Sequence, residues 1–110
     1  RDNWFHAQVL PEQSPYTEKR VGVLAARARQ AFLESYPVTM TRSANALIYR
    51  SIPCGPSVEV FALDMRSYRS ANNENLQTAA GVDTKLLGDR QLRWLADALT
   101  RSKATWKIVA

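Results

Sequence analysis

The sequence predicts a mixed α/β (α+β) fold, and three observations carry that reading. Apolar residues recur at helical spacing in two stretches, around 21–36 and 92–99. Two runs of strand-forming residues flank the turn material Pro53-Cys54-Gly55-Pro56-Ser57. The second helical stretch also lies between apolar runs, as a strand-helix-strand unit requires. At 110 residues and 45% hydrophobic content, the chain is long enough for one modest core and too short for two. It begins at Arg1 without methionine and stops directly after the apolar run Trp106-Lys107-Ile108-Val109, so residues 1–110 read as a single partial domain with both ends cut.

Residues 1–13 hold Trp4, Phe5, Val9 and Leu10 without a period and read as a loop. Ser14-Pro15 predicts a helix start, serine capping free amides and proline occupying the first turn. Val21, Leu24, Ala25, Ala28, Phe32 and Tyr36 then form one apolar stripe, and Pro37 ends the helix by disfavouring helical geometry before it. Residues 46–52 and 58–63 predict a hairpin. Its second strand is apolar except at Glu59, which predicts cover on both faces. Residues 65–87, with Asn72-Asn73-Glu74-Asn75 at their centre, read as a long excursion or partly mobile loop. Gly88-Asp89 opens the next helix, with Asp89 as its cap and a favourable charge at the positive end of the helix dipole. Leu92, Leu95, Ala96 and Leu99 form its predicted buried stripe, widened by Trp94 and Ala98. Residues 102–105 link it to a closing strand at 106–109.

Fifteen Lys and Arg against ten Asp and Glu give a formal net charge of +5. That balance favours an anionic partner, but it equally suits a solvated basic surface, and no run of like charge is present. A basic polyanion- or nucleic-acid-binding module would draw on Arg27, Arg29, Arg42, Arg50, Arg66 and Arg69; the absence of zinc-finger ligands, a KH glycine loop or RNP aromatics argues against nucleic acid. The single cysteine, Cys54, excludes an intrachain disulfide and a multi-cysteine zinc site. Without a nearby histidine in the sequence it reads as a turn residue and not a nucleophile. No stretch approaches the roughly 20 apolar residues of a membrane-spanning helix.

Local sequence words go further. Phe61-Ala62-Leu63-Asp64-Met65-Arg66-Ser67-Tyr68-Arg69 resembles the strand-to-loop signature of the alkaline phosphatase D (PhoD-like) family, an apolar strand followed by Leu-Asp, any residue, Arg, any residue, Tyr-Arg. Leu87-Gly88-Asp89-Arg90-Gln91-Leu92-Arg93-Trp94-Leu95 and Ser102-Lys103-Ala104-Thr105-Trp106-Lys107-Ile108-Val109 are similar to the helix and strand that the family places next. Asp2-Asn3-Trp4 resembles the tail of a family segment that opens with Trp-Asp-Asp-His-Glu. The resemblance implies a metallophosphoesterase: packed sheets flanked by helices, a calcineurin-like cluster of calcium, iron, manganese or zinc ions, hydrolysis of phosphate mono- or diesters, and in many members export by the twin-arginine route to the periplasm or the cell exterior. This chain would then be the middle of such an enzyme. The rest of the parent chain would be its partner, and exposed strand edges would invite self-association.

In that frame Asp2 and Asn3 are candidate metal neighbours, because the resemblance places them beside the metal-binding segment. Asn3 can offer an oxygen to a metal or an amide to phosphate, or it can serve a turn. Arg66 is a candidate phosphate clamp at the end of an interior strand, or the ion-pair partner of Asp64 or another buried carboxylate that holds the loop. His6 lies three residues after Asn3 and either faces the same site or simply packs in the loop. Tyr68 and Arg69 read as braces of the loop, and Trp94 and Trp106 as core. The main metal ligands and a complete catalytic set are expected outside these residues, so the chain alone is expected to be inactive.

Overall fold

The computed structural model describes residues 3–38, 47–74 and 76–110. Asp2, Arg42 and Ala46 lie outside the described residues.

Helix α1 spans Val21–Ser35, six residues later than the Ser14-Pro15 start signal predicts. The residues before it are held by other partners. Val9 bridges Arg20 in antiparallel fashion, the Leu10 amide donates to the Lys19 carbonyl (2.8 Å), and the Val21 amide donates to the Gln8 carbonyl (2.9 Å). The Lys19 ammonium then ties down the carbonyls of Glu12 and Ser14, both at 2.9 Å. Backbone groups committed to residues 8–10 are unavailable to a helical turn, so Ser14 caps no helix, its Oγ accepting only a long contact from the Tyr16 amide at 3.5 Å. The helix ends where Pro37 predicts, with Tyr36 as its C-cap and Phe32 stacked on Tyr36 at 4.8 Å.

Strands β1 (Arg50–Pro53) and β2 (Val58–Ala62) pair antiparallel around the predicted turn, and β2 pairs parallel with β3 (Trp106–Val109), giving the order β1-β2-β3. Helix α2, Asp89–Arg101, connects the two parallel strands, so the predicted crossover unit is present. The mixed α/β class is therefore correct, with this single sheet among the described residues.

The two faces of the sheet differ. Side chains alternate along a strand, and Phe61 is fully buried on the face where Glu59 accepts a hydrogen bond from the Ser102 hydroxyl at 2.5 Å, just beyond α2. On the opposite face Ile52, Val60 and Ile108 fall in one cross-strand row; Ile52 and Ile108 are 42% and 48% exposed, and Trp106 is 67% exposed. This corrects two expectations. Strand β2 is interior by pairing but fully buried only at Phe61 and half-covered elsewhere, and Trp106 is exposed, because it pairs with Val58 on the face opposite Phe61 at the edge of the sheet.

Helix α2 keeps Trp94, Leu95, Ala98 and Leu99 of its predicted stripe at least half-buried but turns Leu92 and Ala96 outward. Leu92 is 56% exposed and Ala96 exposed, whereas Gln91 is 1% exposed and Trp94, Leu95 and Ala98 are half-buried. The buried positions 91, 94, 95 and 98 follow helical spacing, with a glutamine as the most buried member. Trp94 packs on the buried Tyr49 ring at 4.8 Å, as a core tryptophan should. Asp89 sits in the first helical turn but makes no cap hydrogen bond; Gly88 is the N-cap, with φ of 72°.

Candidate active site

The chain leaves β2 through Leu63, whose amide donates to the Ala110 carbonyl (2.8 Å), and arrives at Asp64. Asp64 is 8% exposed. Its Oδ1 accepts from the amides of Arg66 (3.0 Å) and Ser67 (2.9 Å), closing a tight side-chain-to-backbone turn. Beneath it the Gln91 amide grips the Asp64 backbone from both sides: Oε1 accepts from the Asp64 amide (2.7 Å) and Nε2 donates to its carbonyl (2.9 Å) and to that of Leu87 (3.0 Å).

This turn fixes where Arg66 points. Of its two readings from sequence, the ion pair with Asp64 is absent, because the Asp64 carboxylate is engaged by backbone amides. The ion pairs among the described residues are Glu18 with Arg20 and Lys85 with Asp89. Arg66 Nη1 instead donates to Asn3 Oδ1 at 3.2 Å, across 63 residues of sequence. Asn3 has φ of 49°, the left-handed region that asparagine tolerates better than other residues with a Cβ. Its carbonyl accepts from Asn72 Nδ2 at 2.6 Å, and Asn72 Oδ1 in turn accepts from Arg69 Nη2 at 2.6 Å. The far side of the loop is held by Ser70 and Asn73, whose side chains both donate to the Asp83 carbonyl. A loop of some twenty residues is thus pinned at Asn3 and at the 3-10 turn Val82–Thr84.

His6 lies close to this group but looks into a separate cleft, shared with Arg29, Ser67 and Tyr68. Burial pushes the Tyr68 hydroxyl pKa up, assisted by nearby Tyr49 and Asp64 and opposed by Arg29 and Arg90. Cys54 is exposed in the hairpin turn, remote from Asn3 and Arg66 in the topology. Nothing local marks Gln91 or Asn72, since a glutamine inside a helix and an asparagine in a polar loop look like surface residues.

Among the described residues no three His, Cys, Asp or Glu side chains gather where they could hold a metal ion. The Asn3 side-chain oxygen already accepts from Arg66. The described residues alone therefore do not fit a metal centre; what they do form is a cationic rim at the carboxyl end of a parallel strand, where α/β sheets place ligands.

The profile of a family described as PhoD-like phosphatase matches residues 1–110. This chain belongs to the PhoD-like phosphatase family. A solved structure described as "Structure of PhoD" superposes with a TM-score of 0.66 at 24% identity, covering 99% of this chain and 22% of the other. The likeness is one of fold, and this PhoD-like chain spans about a fifth of the length of that solved chain. No curated protein matches it. Among the described residues no helix is long and apolar enough to cross a membrane.

Proposed function

We propose that this PhoD-like chain is the middle portion of the catalytic domain of a metal-dependent phosphoesterase, and that it supplies a phosphate-binding rim and not the metal cage. One observation carries the reading. Arg66, at the end of the central strand, has no carboxylate partner among the described residues and is aimed by a neutral asparagine, so its remaining guanidinium donors stay available to a phosphoryl group. An arginine already paired with Asp64 would offer an anion far less.

In this reading Asn3 positions Arg66 by accepting one N–H, and the Asp64 turn sets the height of the guanidinium above the strand end. Asn72 and Arg69 hold Asn3 in place. Asp2 and Asn3 would border the metal-binding residues of the whole enzyme, where calcium, iron, manganese or zinc would lower the pKa of a bound water and neutralise phosphoryl charge. Substrates are phosphate mono- or diesters, in a protein exported to the periplasm or beyond the cell.

The test is hydrolysis of p-nitrophenyl phosphate and bis-p-nitrophenyl phosphate by the parent enzyme and by residues 1–110 alone, with each of the four metals added. An active parent and a silent 110-residue chain are expected. A parent inert under every condition removes the catalytic reading, and turnover by the isolated chain would place the metal ligands within it.

A further inference from the structure

The cleft into which His6 looks is lined by the small residues Gly22, Ala25 and Ala26 together with four polar side chains. It measures about 270 Å³, several times the roughly 30 Å³ share of a liquid water. Arg29 enters from α1, Ser67 and Tyr68 from the loop after β2, and His6 from the N-terminal segment. All four bring hydrogen-bond donors, and no Asp or Glu lines the space. None of these four side chains has a hydrogen-bond or ion-pair partner among the described residues.

The backbone is shaped to keep the cleft open. Gly22 lies under the imidazole, and a Cβ there would stand 3.0 Å from His6 Cε1 and 3.1 Å from Nε2. A side chain at this position would press the ring back from its seat. Ser67 is held from its backbone side by Asp64, leaving the hydroxyl free to turn inward. Arg29 is half-buried with no ion-pair partner among the described residues, and the Tyr68 hydroxyl feels both its charge and that of Asp64. A half-buried guanidinium without an ion-pair partner, flanked by further donors, is an environment that stabilises an oxyanion.

We propose that His6, Arg29, Ser67 and Tyr68 form an oxyanion-binding subsite of phosphate size, separate from the Asn3–Arg66 rim. It rests on the proposed phosphoesterase function only in its biological use, where it would hold a second anionic group of the substrate or the phosphate released. Ser67 adjoins Arg66 in the chain, so both sites hang on the same Asp64 turn, and an anion in the cleft bears on the loop that aims Arg66.

The probe is inorganic phosphate, titrated into the parent enzyme carrying labelled histidine, with the His6 ring resonances assigned by their loss in His6→Gln. A saturable shift is expected, weakened at least about tenfold in Arg29→Gln and partly retained in Arg29→Lys, which keeps the charge but not the planar fork. A circular dichroism spectrum matching the parent's shows that Arg29→Gln is folded. The proposal is overturned if sodium chloride at equal ionic strength reproduces the shift, or if folded Arg29→Gln titrates like the parent. Activity is read separately: a parent inert toward phosphate esters whose His6 still saturates with phosphate ends the catalytic reading and leaves the subsite standing.

Discussion

Gln91 and Asp64, 27 residues apart, are joined by a pair of hydrogen bonds between one side-chain amide and one residue's backbone, 2.7 Å from the Asp64 amide and 2.9 Å to its carbonyl. At the end of a strand these backbone groups have no ladder partner, and burial denies them water. Gln91 takes the place of a strand. Gln91→Leu keeps the volume but orphans both groups and the bond to the Leu87 carbonyl, so it is expected to destabilise the parent enzyme by about 2–4 kcal/mol. Gln91→Glu retains the acceptor alone and should fall between. Urea midpoints at constant slope check both, and a Gln91→Leu protein as stable as the parent would show that this contact carries no weight.

Asn3 and Arg66 act as a unit in the proposed site, and a double-mutant cycle separates that from two independent effects. Arg66→Ala is expected to lower kcat/KM at least about a hundredfold, the worth of a charge-assisted phosphate contact. Asn3→Gly preserves the left-handed backbone while deleting the acceptor and should cost about tenfold. Combined, they should cost no more than Arg66→Ala alone. Fully additive losses would mean that Asn3 does not aim Arg66.

These two pairs show where sequence was informative. The hairpin, the crossover helix and the loop after β2 were legible because each depends on local spacing and turn chemistry. Helix α1 began late because Val9, Leu10 and Gln8 claimed the backbone of residues 19–21, a contact that no local window contains. On α2 the stripe through Trp94, Leu95, Ala98 and Leu99 was legible, but its most buried position was missed because hydropathy ranks Leu92 above Gln91, whereas the strand end beneath the helix needed a donor and an acceptor. Trp106 was misplaced because an apolar strand is not thereby a covered one. Arg66 stood out from its signature, but its partner did not: nothing local distinguishes pairing with Asp64 from a contact across 63 residues.

Glu18 provides a test by pH. Hydrogen bonds from the Arg20 side chain (2.9 and 3.0 Å) and from its backbone amide (2.8 Å) hold the carboxyl down to about 2, from an ordinary 4.5. A lowered carboxylate pKa stabilises the fold above the unfolded-state value, and that contribution fades as pH falls from about 4.5 to about 2. Arg20→Gln should return the Glu18 titration toward 4.5, followed by the carboxyl carbon resonance. The stability gap between parent and variant should accordingly narrow between pH 5 and pH 3. A Glu18 midpoint unmoved by Arg20→Gln would assign the shift to some other group.

Gly88 and Gly55 share a backbone conformation, φ of 72° and 75°, but not their surroundings. A Cβ at Gly55 meets nothing within 4 Å, whereas one at Gly88 lies 2.9 Å from Tyr68 Cβ, a contact that real side chains do not make. Gly55→Ala should therefore cost only the left-handed strain, about 1–2 kcal/mol. Gly88→Ala adds overpacking of a further 1–3 kcal/mol against a ring wedged on Tyr49 at 5.9 Å. Because Tyr68 follows Ser67 on the Asp64 turn, displacing it also disturbs the cleft, so Gly88→Ala should weaken phosphate binding at His6 while Gly55→Ala leaves it unchanged. Thermal unfolding and the His6 titration read the two effects separately. Equal stability losses at the two glycines would mean that the helix start yields at Gly88, and that the close approach to Tyr68 does not set the loop.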